Sequence, residues 1–189
     1  DMNLQFGNVA TYLDIPPGSK VLDAYRNLRK LDADAFQTCL HASGDRLAVF
    51  AAPGEMLPFD AMTGGEAQQL IALARAAFDV VIIDLPHLVA DWSGSVYSEC
   101  DRIHCVSNLD VRSAQNARKL LALLRAESLP VAKLFHVLNR VSARRNRRWK
   151  EHCTVFERGL GSAFGWQVAD GGEDVTGACD AGRPLVQTK

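Results

Sequence analysis

Two acidic residues stand where apolar runs could deliver side chains to the mouth of a sheet. Asp84 closes the run Val80-Val81-Ile82-Ile83, and Asp1 opens the stretch Asp1-Met2-Asn3-Leu4-Gln5-Phe6-Gly7-Asn8. In an open α/β sheet, ligands bind outside the carboxyl ends of the strands. A carboxylate that ends a buried strand is therefore placed to hold a metal ion or to orient water. A third apolar run, Val137-Leu138, ends in Asn139-Arg140. An amide presents a donor and an acceptor side by side, which suits the edge of a purine. Each residue also has a plainer reading. Asp84 could cap a helix or turn, Asn139 could be a strand-end turn residue, and Asp1 has no upstream context. No G-x-x-x-x-G-K-[ST] occurs in the 189 residues, so no phosphate-cradling loop can be named.

Other reactive side chains fall into weaker patterns. The histidines His41, His87, His104, His136 and His152 have no ligand spacing. His104 and His136 lie inside apolar strand patterns, where buried neutral imidazoles are expected. Cys105 beside His104 is not a catalytic pair, because adjacent strand residues point to opposite faces. Ser95 lacks the G-x-S-x-G context of a nucleophile elbow. The cysteines Cys39, Cys100, Cys105, Cys153 and Cys179 form an odd set without a C-x-x-C pair, which argues against a disulfide framework or a zinc site and fits a reducing compartment. The run Arg140, Arg144, Arg145, Arg147, Arg148 and Lys150 has no acidic residue before Glu151. Its plain reading is a solvated face. Its functional readings are an anionic membrane surface, nonspecific DNA or an acidic partner protein. Trp149 within it could enter a membrane interface or anchor the helix to a core.

Elements that position these residues alternate along the chain. Pro16-Pro17-Gly18 reads as a turn before a helix capped by Ser19, with Val21, Leu22, Tyr25 and Leu28 at helical spacing. Asp32 caps a second short helix carrying Ala35, Phe36 and Leu40. Leu47 to Ala51 reads as a buried strand, 55–64 as a loop, and 66–77 as a helix with Leu70, Leu73 and Ala77 on one face. Residues 79–84 form the next strand. A helix over 93–99, a strand over 103–106, and a helix capped by Asp110 with Ala114, Ala117, Leu121 and Leu124 aligned follow. A strand over 132–138, a basic helix over 144–160, a short strand near 166–168 and a helix over 174–181 complete the pattern. Strands alternating with helices imply parallel pairing and helices on both faces of the sheet.

Composition places the chain among ordinary globular domains, with 48% hydrophobic and 23% charged residues. A net charge of -1 gives no global pull toward nucleic acid or membrane, so any such affinity is local. No apolar stretch is long enough to span a bilayer and no signal peptide is visible. The length suggests one domain, residues 1–189, and no internal repeat or low-complexity linker is seen. The opening on Asp, where a strand should be ending, leads to the expectation that the first βα unit lies outside this chain.

Taken in order and spacing, three stretches make the chain resemble the MinD/ParA superfamily of deviant P-loop ATPases, and within it the TadZ/CpaE group of Tad (Flp) pilus assembly. The opening segment from Asp1 to Asp14 looks like that group's D-x-D-L-x-F-G segment and Leu-Asp turn. Phe78-Asp79-Val80-Val81-Ile82-Ile83-Asp84-Leu85-Pro86 looks like its Walker B strand. Val137-Leu138-Asn139-Arg140 looks like the strand end that reaches adenine. The tail Ala181-Gly182-Arg183-Pro184-Leu185-Val186 is similar too, and the usual final helix after it is absent.

The resemblance implies a three-layer α/β sandwich with a mostly parallel sheet. It implies ATP and Mg²⁺ in the intact protein, Asp84 holding the metal through water, Asn139 and Arg140 at the base, and Asp1 and Asn3 at the catalytic positions. Asn3 departs from the pattern, since hydrolysing relatives carry Asp there, so weak or absent hydrolysis is implied. It further implies an ATP-dependent homodimer that recruits pilus secretion proteins, in the cytoplasm at the inner membrane, with a polar position as one option. Two other classes fit the same residues: a ParA-like partitioning ATPase that binds DNA through the basic helix, and a nucleotide-free scaffold.

Overall fold

The computed structural model describes residues 1–16 and 18–185. Pro17 of the expected turn and Val186 of the tail lie outside the described residues. The chain divides into two compact units, one of Asp1–Glu99 with Glu173–Lys189 and one of Cys100–Gly172.

The first unit is mainly helical. It contains α1 (Val9–Tyr12), α2 (Ser19–Arg26), α3 (Ala33–Thr38), α4 (Gly64–Ala77), α5 (Ser93–Glu99) and α8 (Gly172–Asp180). Gly18, and not Ser19, occupies the cap position of α2. Asp32 caps α3 as its sequence predicts, accepting from the Ala35 N–H at 2.8 Å. Helix α4 begins earlier than expected because Thr63 and Glu66 close a reciprocal capping box, which satisfies donors at both ends of the first turn. Ala67, Leu70 and Ile71 of α4 are buried, Leu73 is half-buried, and Ala77 is exposed at the helix end.

Two predicted strands come out differently. Of the run 47–51, only β2 (Ala48–Val49) pairs, antiparallel to β1 (His41–Ala42) in a short hairpin. Residues 79–84 take no ladder among the described residues, and Val80 and Ile82 are exposed at 75% and 88%. Among the described residues, the Met2 N–H donating to the Asp84 carbonyl at 2.9 Å ties them to the opening segment. Strand identity depends on partners along both edges, which local hydrophobicity does not encode.

The second unit is built as the alternation predicts. Strands β3 (Ile103–Ser107), β4 (Leu134–Val141) and β5 (Trp166–Ala169) form a parallel sheet in the order β3-β4-β5. The connections are α6 (Val111–Ala126) and α7 (Arg147–Leu160). Asp110 caps α6 through the Ser113 N–H at 2.8 Å, and Asn146 caps α7 through the Trp149 N–H at 2.9 Å. The basic helix thus starts at Arg147 and not at Arg144. It ends at Gly161, whose φ of 74° is the left-handed C-terminal conformation that glycine adopts without penalty.

Register decides which strand residues are buried. Ala117, Phe156 and Leu160 pack with Cys105 of β3, and Leu138, Val141 and Cys153 pack with Trp149 and Phe164. Helices α6 and α7 therefore cover the same sheet face. Trp149 is a core anchor of α7, not a free interfacial side chain. On the opposite face His104 stacks on Trp166 with ring centroids 4.8 Å apart, and it is exposed, contrary to the expected burial. His136 is buried as expected, with Nδ1 lacking a hydrogen-bond partner.

Burial lowers the His136 pKa from its ordinary 6.5, so the unfolded chain takes up the proton first. Stability contributed by the neutral imidazole is present above 6.5 and is lost as pH falls through that value. Urea midpoints should fall between pH 7.5 and pH 5 partly through this group. His136→Leu removes an unsatisfied buried nitrogen, so it should fold about as well at neutral pH and show a shallower acid-side loss. An unchanged slope would assign the acid sensitivity to other groups.

Candidate functional site

The predicted site residues fall into two groups, one in each unit. In the first unit, the Asp1 carboxylate bridges its own loop. Oδ1 accepts from the Asn3 N–H and Oδ2 from the Val9 N–H, each at 3.1 Å. The Asp1 carbonyl accepts from the Tyr25 hydroxyl at 3.0 Å. Asn3 Oδ1 accepts from the Phe6 N–H at 3.1 Å, and the Asn3 carbonyl from the Gly7 N–H at 3.0 Å. Asp1 and Asn3 therefore build a compact turn. A carboxylate has about four acceptor positions, so two N–H donors leave Asp1 with capacity toward a cation or water.

Gly7 is required by this turn. A Cβ there would overlap Ala52 Cβ and press on both Asp1 carboxylate oxygens. Gly7→Ala should cost about 1–3 kcal/mol in urea unfolding. Gly65→Ala, whose Cβ would meet nothing within 4 Å near the start of α4, should be neutral or stabilising by up to about 1 kcal/mol. Equal effects at the two positions would refute the turn assignment.

Asp84 is exposed, and its carbonyl is the acceptor for Met2, one residue from Asp1. The acidic residues of the two N-terminal motifs are thus carried on hydrogen-bonded neighbouring segments. Among the described residues no group of three or more His, Cys, Asp or Glu side chains is arranged to cage a metal. That donor set does not suit a site built from protein ligands alone. It does suit Mg²⁺, which keeps several waters and is held by one or two carboxylates together with phosphate oxygens.

The second group lies at the carboxyl end of β4. The register of β4 against β5 shifts between Leu138 and Val141, and Arg140 takes a φ of 53°. Asn139 and Arg140 thus sit at a bulge, the device that re-aims strand side chains beside functional sites. Both line a cavity of about 460 Å³, whose other walls include Asn108, Arg144, Arg148 and Trp149. Asn108 follows Ser107, which pairs with Leu138, so the two asparagines are register neighbours on adjacent strands. Sequence reading singled out Asn139 and missed Asn108. Its signal was the same, a polar amide directly after an apolar strand.

The cysteines supply no activated nucleophile in either core. All five are free thiols, and burial pushes Cys39, Cys105 and Cys153 up from the ordinary thiol value. Among the described residues no helix is long and apolar enough to cross a membrane.

Comparison with solved structures finds a ParA family ATPase from Chlorobium tepidum at a TM-score of 0.85. The match is 19% identical in sequence and covers 99% of this chain and 77% of that one. No protein-family profile matches the chain, and no curated protein matches it in sequence.

Proposed function

We propose that this α/β chain, with the fold of a ParA-type ATPase, is a nucleotide-responsive assembly and positioning factor for Tad/Flp-type pilus biogenesis. The fold is the ground for the nucleotide, since nearly the whole chain superposes on a ParA family ATPase. The observation that carries the site is the Asn139–Arg140 bulge opening into a cavity beside Asn108. Two amides at one strand mouth can pair with both a donor and an acceptor of an adenine edge. Asp84 would hold Mg²⁺ through water, with Asp1 on the adjoining segment. The bound metal would neutralise phosphate charge. Asn3, lacking a charge, orients water weakly and cannot accept its proton. ATP then acts as a slow switch that holds two copies of the chain together, and the pair recruits secretion proteins at the cytoplasmic side of the inner membrane. The pilus assignment rests on the opening segment and the Asp84 strand; the fold alone would serve DNA partitioning equally well.

Two measurements test this reading. ATP should bind in preference to GTP, and Asn139→Ala should remove the preference and weaken ATP by about tenfold, the scale of a lost pair of buried hydrogen bonds. In the organism itself, deleting the gene should leave cells without Tad-type pili. Normal pili together with plasmid or chromosome loss would favour the DNA-partitioning reading instead.

A further inference from the structure

We infer that the cavity at the end of β4 is a phosphate-binding site whose anion sits among Arg140, Arg144 and Arg148. Three independent features of the second unit converge there. The cavity lining contains Arg140, Arg144, Arg148 and His152 and not one carboxylate. Among the described residues, the three arginines have no ion-pair partner. Among the described residues, the ion pair on this segment joins Arg147 to Glu151, at 2.9 Å. Helix α7 has no acidic residue in its first turn, so the N-terminal N–H groups and their partial positive charge add to the arginines where helices usually place Asp or Glu.

No carboxylate among the residues lining the cavity balances this cluster. Neighbouring groups are already committed. Arg145 lies over the Trp149 ring at 5.4 Å, and Trp149 packs against Leu138, Val141 and Cys153. Trp149 thus forms a packed wall of the cavity, and Arg140 lines it from the bulge. Guanidinium forks match pairs of phosphate oxygens, and the asparagine amides that pair with adenine in the proposed function are left for the group the phosphate carries. A volume of about 460 Å³ falls in the range of small-molecule sites. The ligand class is a phosphate ester or anhydride, supplied by a free nucleotide or by an anionic lipid headgroup.

The probe is inorganic pyrophosphate, titrated by calorimetry into the whole chain. It has no base, so its result is separate from that of the adenine test. Saturable binding is expected, weakened by rising salt. Arg144→Gln with Arg148→Gln should weaken it at least about tenfold, the loss expected for two charge-assisted contacts. Arg158→Gln, in the last turn of the same helix, should change nothing. The replaced side chains are exposed, so circular dichroism and thermal unfolding should match the wild type. Displacement of pyrophosphate by ATP identifies the free nucleotide as source. Sedimentation with phosphatidylglycerol but not phosphatidylcholine vesicles, lost in the double variant, identifies the headgroup. Absence of saturable binding overturns the inference. So does binding that survives the double substitution, or retention on duplex DNA that pyrophosphate cannot displace.

Discussion

Leu138→Ala should destabilise the second unit by about 3–4 kcal/mol, within the range for emptying a fully buried leucine site. Leu138 has no exposed surface and lies on β4 among Val141, Cys153, Leu109, Trp149 and Phe164. Those neighbours come from a strand, a helix and two loops, so none can collapse into the void without moving the sheet register. The same residue directly precedes the bulge that aims Asn139 and Arg140. Loss of packing there should loosen the cavity as well as the core. Leu138→Met, which roughly preserves volume, should cost less than about 1.5 kcal/mol and leave ligand binding intact. Chemical denaturation followed by Trp fluorescence measures both. A cost under about 1 kcal/mol for the alanine variant would mean that the β4–α7 contact is not the structural centre of this unit.

Asn3→Asp should raise ATP turnover of this protein by about 10- to 100-fold while leaving stability within about 1 kcal/mol. A carboxylate can orient the attacking water through a charge-assisted hydrogen bond and accept its proton, and general-base assistance contributes about 10²–10⁴ where geometry is complete. The lower figure follows from the turn itself. Asn3 Oδ1 already holds the Phe6 N–H, and an aspartate there would stand beside the Asp1 carboxylate that accepts the Asn3 N–H. Two adjacent carboxylates raise the pKa of one of them, which blunts part of the gain. The turn is preserved because Asp accepts the same N–H that Asn does. Phosphate release at steady state is the measurement. Brisk wild-type turnover, unaffected by the substitution, would sink both the assignment of Asn3 and the slow switch proposed for this chain.

The second unit shows how much a sequence carries when short-range physics is enough. The start of α6 follows from one side chain, Asp110, that satisfies a free N–H, and its buried stripe of Ala117, Leu121 and Leu124 follows from helical spacing. Strands β3 and β4 follow from apolar runs, and their parallel pairing from the helix that must intervene. Asn139 was legible as a site residue for the same local reason. What required tertiary structure was register and partnership. The bulge that turns Asn139 and Arg140 into one cavity depends on how β5 meets β4, and no residue pattern announces a one-residue slip. Asn108 joins them only because Ser107 pairs with Leu138.

In the first unit the apolar run ending at Asp84 has the composition of a core strand yet leaves Val80 and Ile82 exposed, because burial of a strand is conferred by its neighbours. Trp149 was ambiguous between a membrane anchor and a core residue. Its place on α7, above Leu138 and Cys153, settled that, since helix phase relative to a sheet is fixed by packing. Composition and spacing thus determined which residues could do chemistry. Only three-dimensional packing decided which of them share a surface, because hydrogen-bond registers and covered faces are properties of pairs of segments and not of either one.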